Sequence, residues 1–214
     1  VLLGDLFAVV SVLSLYQYMK QKKHIYLAAL TFGIFFIIIS FSRSALVSLG
    51  AGVFYLLYSK GIISKHRKKV ILFFVVLSVV FILEGITKSI LGNRLYYIQA
   101  LYVFFTHPLG IGIGNFMSLF DYGIGNSVNT AYTHSLFLDI LIGTGVWGIP
   151  FFIWLYMTLK NVFTRRDDST LAFRLIALTS LVNFTFNRTY NLPIMFWLFF
   201  ISLGVGLGYK SLKD

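Results

Sequence analysis

The chain has 214 residues, of which 58% are hydrophobic and only 12% charged, with 23 Phe and no cysteine. A soluble domain usually carries about a quarter charged residues, so a soluble enzyme and a soluble nucleic-acid binder are both excluded. The net charge of +11 is then a question of where the 18 Lys and Arg sit, because such a surplus marks either a nucleic-acid surface or the cytoplasmic loops of a membrane protein.

A membrane-spanning helix needs about 20 largely apolar residues. In chain order, such runs occupy Val1–Met19, Ile25–Phe41, Ala45–Tyr58, Val70–Ile86, Leu136–Leu159, Leu171–Phe186 and Pro193–Tyr209. The second and third together would form one helix of about 52 Å, too long for a single crossing. Ser42-Arg43-Ser44 is therefore read as a tight hairpin, with either serine able to cap the next helix. The result is an all-α polytopic membrane helix bundle of about seven spans, a single transmembrane domain over residues 1–214. Val1 already lies inside an apolar run with no basic segment before it, which predicts the C-terminal or interior part of a longer protein.

Alternating the loops places fourteen of the eighteen cations on one side, from Lys20, Lys22 and Lys23 to Lys210 and Lys213. The other side holds Arg43, Lys88, Arg94 and Arg188. The positive-inside rule makes the first side cytoplasmic, with the N-terminus outside and the C-terminus inside. Nucleic acid drops out as a partner, and membrane lipids take its place.

Residues 87–133 form a 47-residue loop on the outer side. Loops of this length are usually functional. Within it, Leu95–Phe105 is too short to span and suits an interfacial helix ended by Pro108. Gly110, Gly112 and Gly114 then precede Asn115 without the spacing of a dinucleotide fingerprint. Two readings of this run stand, a flexible re-entrant turn and a nest of backbone N–H groups for an anion.

Arg43, Arg94 and Arg188 sit at the lips of the outer face. Each either snorkels to lipid phosphates or joins the others on a diphosphate, which a guanidinium grips bidentately. His134 lies where the long loop meets the fifth span, either as a structural hydrogen bonder or as a proton acceptor for a sugar hydroxyl. Asn183, Asn187 and Asn191 share one helix face, which suits interhelical packing or a polar cavity beside Arg188. No DxD pair and no Walker A motif occur, so neither a metal ion nor a nucleotide cofactor is expected.

Three segments resemble the O-antigen ligase and polymerase (Wzy-like) superfamily. They are Ser42-Arg43-Ser44-Ala45, then Arg94 with the run from His107-Pro108 to Asn115-Phe116, then His134-Ser135-Leu136-Phe137-Leu138 with Gly143, Gly145 and Gly148. Many members carry Asn where this chain has Ser135. The resemblance implies a metal-independent glycosyltransferase with a GT-C-like helical architecture in the bacterial cytoplasmic membrane. It would take an undecaprenyl-diphosphate-linked glycan outside the membrane and transfer it to lipid A core or to a lipid-linked repeat unit. It also implies that Arg43 and Arg94 hold the diphosphate and that His134 activates or positions the acceptor hydroxyl. Arg188, Gly112, Gly114 and Asn115 are further substrate-binding candidates from their positions. The competing reading is a polysaccharide transporter or flippase, which calls for charged groups at mid-bilayer and discontinuous helices.

Overall fold

The computed structural model describes residues 2–65, 94–113, 115, 133, 135–164, 167–186 and 193–208. Every regular element among them is helical, as the composition requires. In chain order these are α1 (Leu2–Gln21), α2 (His24–Ile39), α3 (Arg43–Ser59), the single turn α4 (Ile62–Lys65) and α5 (Arg94–Thr106). Further along come α6 (Leu136–Thr144), a 3-10 turn (Gly145–Gly148), α7 (Ile149–Thr164), α8 (Leu171–Phe186) and α9 (Pro193–Gly208). The apolar run Val70–Ile86 lies outside the described residues.

The predicted break between the second and third runs is present. Phe41 adopts φ 47 in the left-handed region that ends helices, and Ser42 caps α3 by accepting the Ala45 N–H at 3.4 Å. The run Leu136–Leu159, read as one span, is instead interrupted. Gly145 stands at φ 59, a conformation that side chains resist, and the Val146 N–H turns away to the Pro108 carbonyl at 2.8 Å. Taken through that interruption, Leu136–Thr164 is 29 residues long and is the one stretch among the described residues long and apolar enough to cross a membrane. Helices α2, α8 and α9 are apolar but only 16 residues each, about 24 Å at 1.5 Å per residue.

Helix α1 packs on α2 and α3, α8 packs on α1, α3 and α9, and α9 also meets α7. Close approach rests on small residues, the usual means of joining apolar helices whose outer surfaces gain nothing from avoiding lipid. A Cβ on Gly33 would collide with the Ser11 hydroxyl, and one on Gly52 would lie 2.6 Å from Val12 and 3.0 Å from Thr179. Gly52 thus marks the point where α1, α3 and α8 converge.

Large apolar side chains face outward, while the mostly apolar interior also encloses polar groups. Phe32, Tyr156 and Trp197 are 57%, 66% and 62% exposed on α2, α7 and α9, whereas Asp5, Ser48 and Asn183 are fully buried. Apolar surface facing outward on several helices needs a cover that water does not provide.

At one end of the bundle the helices are locked by charge. Lys60, at the end of α3, pairs with Asp168 at 2.5 Å, and the Tyr16 hydroxyl of α1 donates to the Asp168 carbonyl at 3.3 Å. Arg174 belongs to this lock. Counted from sequence as a loop cation, it is instead buried in α8, donating to the Tyr55 hydroxyl at 3.1 Å and to the Asp167 carbonyl. Burial opposes ionisation of the Asp167 carboxyl, yet donation from the Thr170 and Ser169 hydroxyls and the Thr170 N–H outweighs it and holds the pKa at about 2.

Two outcomes follow for detergent-solubilised protein. Gly52→Ala loses about 1–3 kcal/mol through overpacking and lowers the melting temperature, while Gly204→Ala, with nothing within 4 Å, changes stability by less than about 0.5 kcal/mol. A carboxyl held near 2 instead of 3.8 contributes stability above pH 4 that is lost as pH falls toward 2. Asp167→Asn therefore lowers the melting temperature at pH 6, and the difference shrinks steeply as pH falls through 2.

Candidate functional site

The opposite end of α1, α3 and α8 is held by a buried hydrogen-bond network. Asp5, one turn into α1, accepts the Ser42 hydroxyl at 3.0 Å and the Ser44 hydroxyl at 2.7 Å on the same carboxylate oxygen. The two hydroxyls lie 3.0 Å apart. The Asn183 side-chain N–H donates to the Asp5 carbonyl at 3.2 Å, and the Ser48 hydroxyl donates to the Asn183 side-chain oxygen. The one Ser48 proton is shared with the Ser44 carbonyl one turn earlier, at 2.6 Å. The local sequence explains the arrangement: Ser42 is the cap of α3, and Ser44 and Ser48 share a face at i and i+4.

Arg43 is the first residue of α3, half-buried, between the two serines that grip Asp5. Helix α5 reaches the same region. It begins at Arg94, as the predicted segment Leu95–Phe105 implies, and the Tyr97 hydroxyl donates to the Thr185 carbonyl at 3.4 Å. Thr185 follows Asn183 by two residues, so the starts of α3 and α5 both meet the last turn of α8. The Arg94 side chain, His134, Arg188 and Gly114 lie outside the described residues, as do Asn187 and Asn191. Asn183 packs between helices.

The glycine run does not form an anion nest where it is described. The Gly110 N–H donates to the His107 carbonyl at 2.9 Å, Ile111 to Ile142 at 3.0 Å and Gly112 to Gly143 at 2.9 Å. A nest needs free, convergent N–H groups, and here the first closes a turn while the next two dock the run onto the end of α6. Gly110 must be glycine there: its φ is 86, and a Cβ would stand 2.5 Å from the Gly143 carbonyl oxygen. Asn115 folds back as well, its side-chain N–H donating to the Ile111 carbonyl at 2.9 Å. Gly112 and Asn115 therefore brace a turn against α6. The two later motif segments, around Gly110 and around Gly145, are brought together by this docking.

A second buried carboxylate organises the residues beside His134. Asp139, in the first turn of α6, accepts the Thr133 N–H at 2.8 Å. The Thr133 hydroxyl in turn accepts the Ser135 N–H at 3.2 Å and donates to the Ser135 carbonyl at 3.1 Å. Leu136 and Phe137 pack on the cluster that includes Phe184 and Met195, placing the start of α6 against α8 and α9.

Sequence reasoning missed Asp5. The available signal was an acidic residue inside the apolar run Val1–Met19, since such groups are costly and need named partners. Among the described residues, no three His, Asp or Glu side chains come together to hold a metal ion. No protein-family model, curated protein or solved structure matches this chain.

Proposed function

We propose that the chain is a multi-pass membrane glycosyltransferase of the O-antigen ligase and polymerase (Wzy-like) type, acting on the outer face of the bacterial cytoplasmic membrane. Its donor is a glycan on undecaprenyl diphosphate, and its acceptor is a sugar hydroxyl on lipid A core or on a second lipid-linked glycan. The observations that support this reading are Arg43 at the first turn of α3, beside the Asp5 network, and the start of α5 at Arg94, where the Tyr97 hydroxyl reaches the Thr185 carbonyl in the last turn of α8. Outward apolar faces on α2, α7 and α9 support several membrane crossings. The charge lock of Lys60, Asp168 and Arg174 at the far end agrees with a cytoplasmic side rich in cations.

In the reaction, the acceptor oxygen bonds to the anomeric carbon of the donor sugar as the bond from that carbon to the diphosphate oxygen breaks. The electron pair leaves with the undecaprenyl diphosphate. The guanidiniums of Arg43 and Arg94 stabilise the charge that grows there, which is worth most where water is scarce. His134 takes the proton from the acceptor hydroxyl and then releases it to the departing diphosphate or to water. The energy comes from the sugar diphosphate itself, so no nucleotide is consumed.

The interruption at Gly145–Gly148 favours a second reading, a transporter or flippase, since discontinuous helices line many transport sites. One set of experiments separates the two. In membranes holding equal amounts of protein, Arg43→Ala, Arg94→Ala and His134→Ala should each cut glycan transfer about 100-fold or more. Full activity in all three variants rejects the transferase. Movement of a labelled lipid-linked glycan across proteoliposomes, with no transfer, supports the second reading instead.

A further inference from the structure

We propose that Asp5 is a positioning residue for Arg43, fixing the direction in which that side chain leaves the turn between α2 and α3. The proposal rests on the reading of Arg43 as a contact to the donor diphosphate. It begins from a group the reaction does not use. A carboxyl-bearing side chain that is completely buried in an apolar helix is costly unless its oxygens are hydrogen-bonded, so its partners carry the reason for its presence.

Those partners are residues 42 and 44, one on each side of Arg43. Their hydroxyls reach a single carboxylate oxygen at 3.0 and 2.7 Å. A residue flanked by two anchored neighbours has little freedom to rotate about the start of its helix, so the backbone of Arg43 is pinned from both sides. The anchor is itself fixed. The Asp5 carbonyl is held by Asn183 at 3.2 Å, and the Ser48 hydroxyl of α3 donates to Asn183. Helix α1 is also shaped to admit the turn: a Cβ on the neighbouring Gly4 would stand 3.0 Å from the Ser42 Cβ and would collide with the Ser40 hydroxyl.

A simple bolt between α1 and α3 would also bury a carboxyl group. Such a bolt could be placed anywhere along the helices, yet this one grips the two residues beside Arg43. The distinction is measurable. A bolt alters the amount and stability of the protein, whereas a positioning residue alters where position 43 points and how well the donor binds.

The sequence contains no cysteine, so Arg43→Cys in the full chain is a single-site probe for a membrane-impermeant maleimide. Adding Asp5→Ala should change the labelling rate of that thiol about tenfold, the scale of losing one to two hydrogen bonds. Asp5→Asn keeps an oxygen acceptor for the serine hydroxyls and should leave the rate within about twofold. Ser44→Ala, which spares Asp5 and Ser42, should shift the rate in the same direction as Asp5→Ala. This variant decides the matter if Asp5→Ala fails to insert.

With Arg43 in place, Asp5→Ala should lower kcat/KM for the donor about tenfold, with a fall in kcat because Arg43 acts on the charge that grows in the transition state. Asp5→Asn should restore it. An unchanged labelling rate in both Asp5→Ala and Ser44→Ala, at parental protein levels, overturns the proposal. A changed labelling rate with an unchanged donor kcat/KM keeps Asp5 as the anchor of the turn and removes Arg43 from the donor site, so the two readings fail separately.

Discussion

A carboxyl group with no access to water must have its hydrogen bonds made for it, and in this chain that requirement falls on Asp5. Satisfying it draws the turn between α2 and α3 back onto the first turn of α1 through Ser42 and Ser44. The next bond in the chain, from Asn183 to the Asp5 carbonyl, draws the last turn of α8 to the same place. Three helices distant in sequence are thereby joined at one end. Leaving any one of these buried partners unmatched would cost about 1–3 kcal/mol, so the arrangement is strongly specified despite the few atoms involved.

Helix α8 acts as the spine between two chemically different ends. Near its start, Arg174 is clamped by Tyr55 and the Asp167 carbonyl, and Asp168 takes Lys60 and Tyr16. Near its end, Asn183 and Thr185 receive α1, α3 and α5. Nine residues separate Arg174 from Asn183, about 13 Å along the helix axis. Between them lie apolar contacts around Leu175, Ala177 and Leu181, together with the buried Thr179 and Ser180.

Helix positions were legible because apolar runs and their breakers are local. Ile25–Phe41 and Ala45–Tyr58 anticipate α2 and α3, and Leu171–Phe186 and Pro193–Tyr209 anticipate α8 and α9 nearly residue for residue. The interruption inside Leu136–Leu159 was not legible. It depends on Gly145 meeting Pro108, a contact between segments far apart in sequence. The glycine run posed the same difficulty: two uses of its N–H groups were compatible with the sequence, and only the position of α6 decides between them. Arg174 was misjudged because a basic residue near a span end ordinarily faces water, whereas here Tyr55 and the Asp167 carbonyl give it partners inside. Asp5 was overlooked because a single acid scarcely alters the hydropathy of a long run. The serines that needed it lie 37 and 39 residues away.

The most direct test is reconstitution of the purified full chain in lipid vesicles with an undecaprenyl-diphosphate-linked glycan, a glycan acceptor and excess EDTA. Glycan should move to the acceptor with release of one undecaprenyl diphosphate per transfer, and Arg43→Ala should suppress both together. Absence of transfer by the parent chain, or equal transfer by Arg43→Ala, would contradict the account.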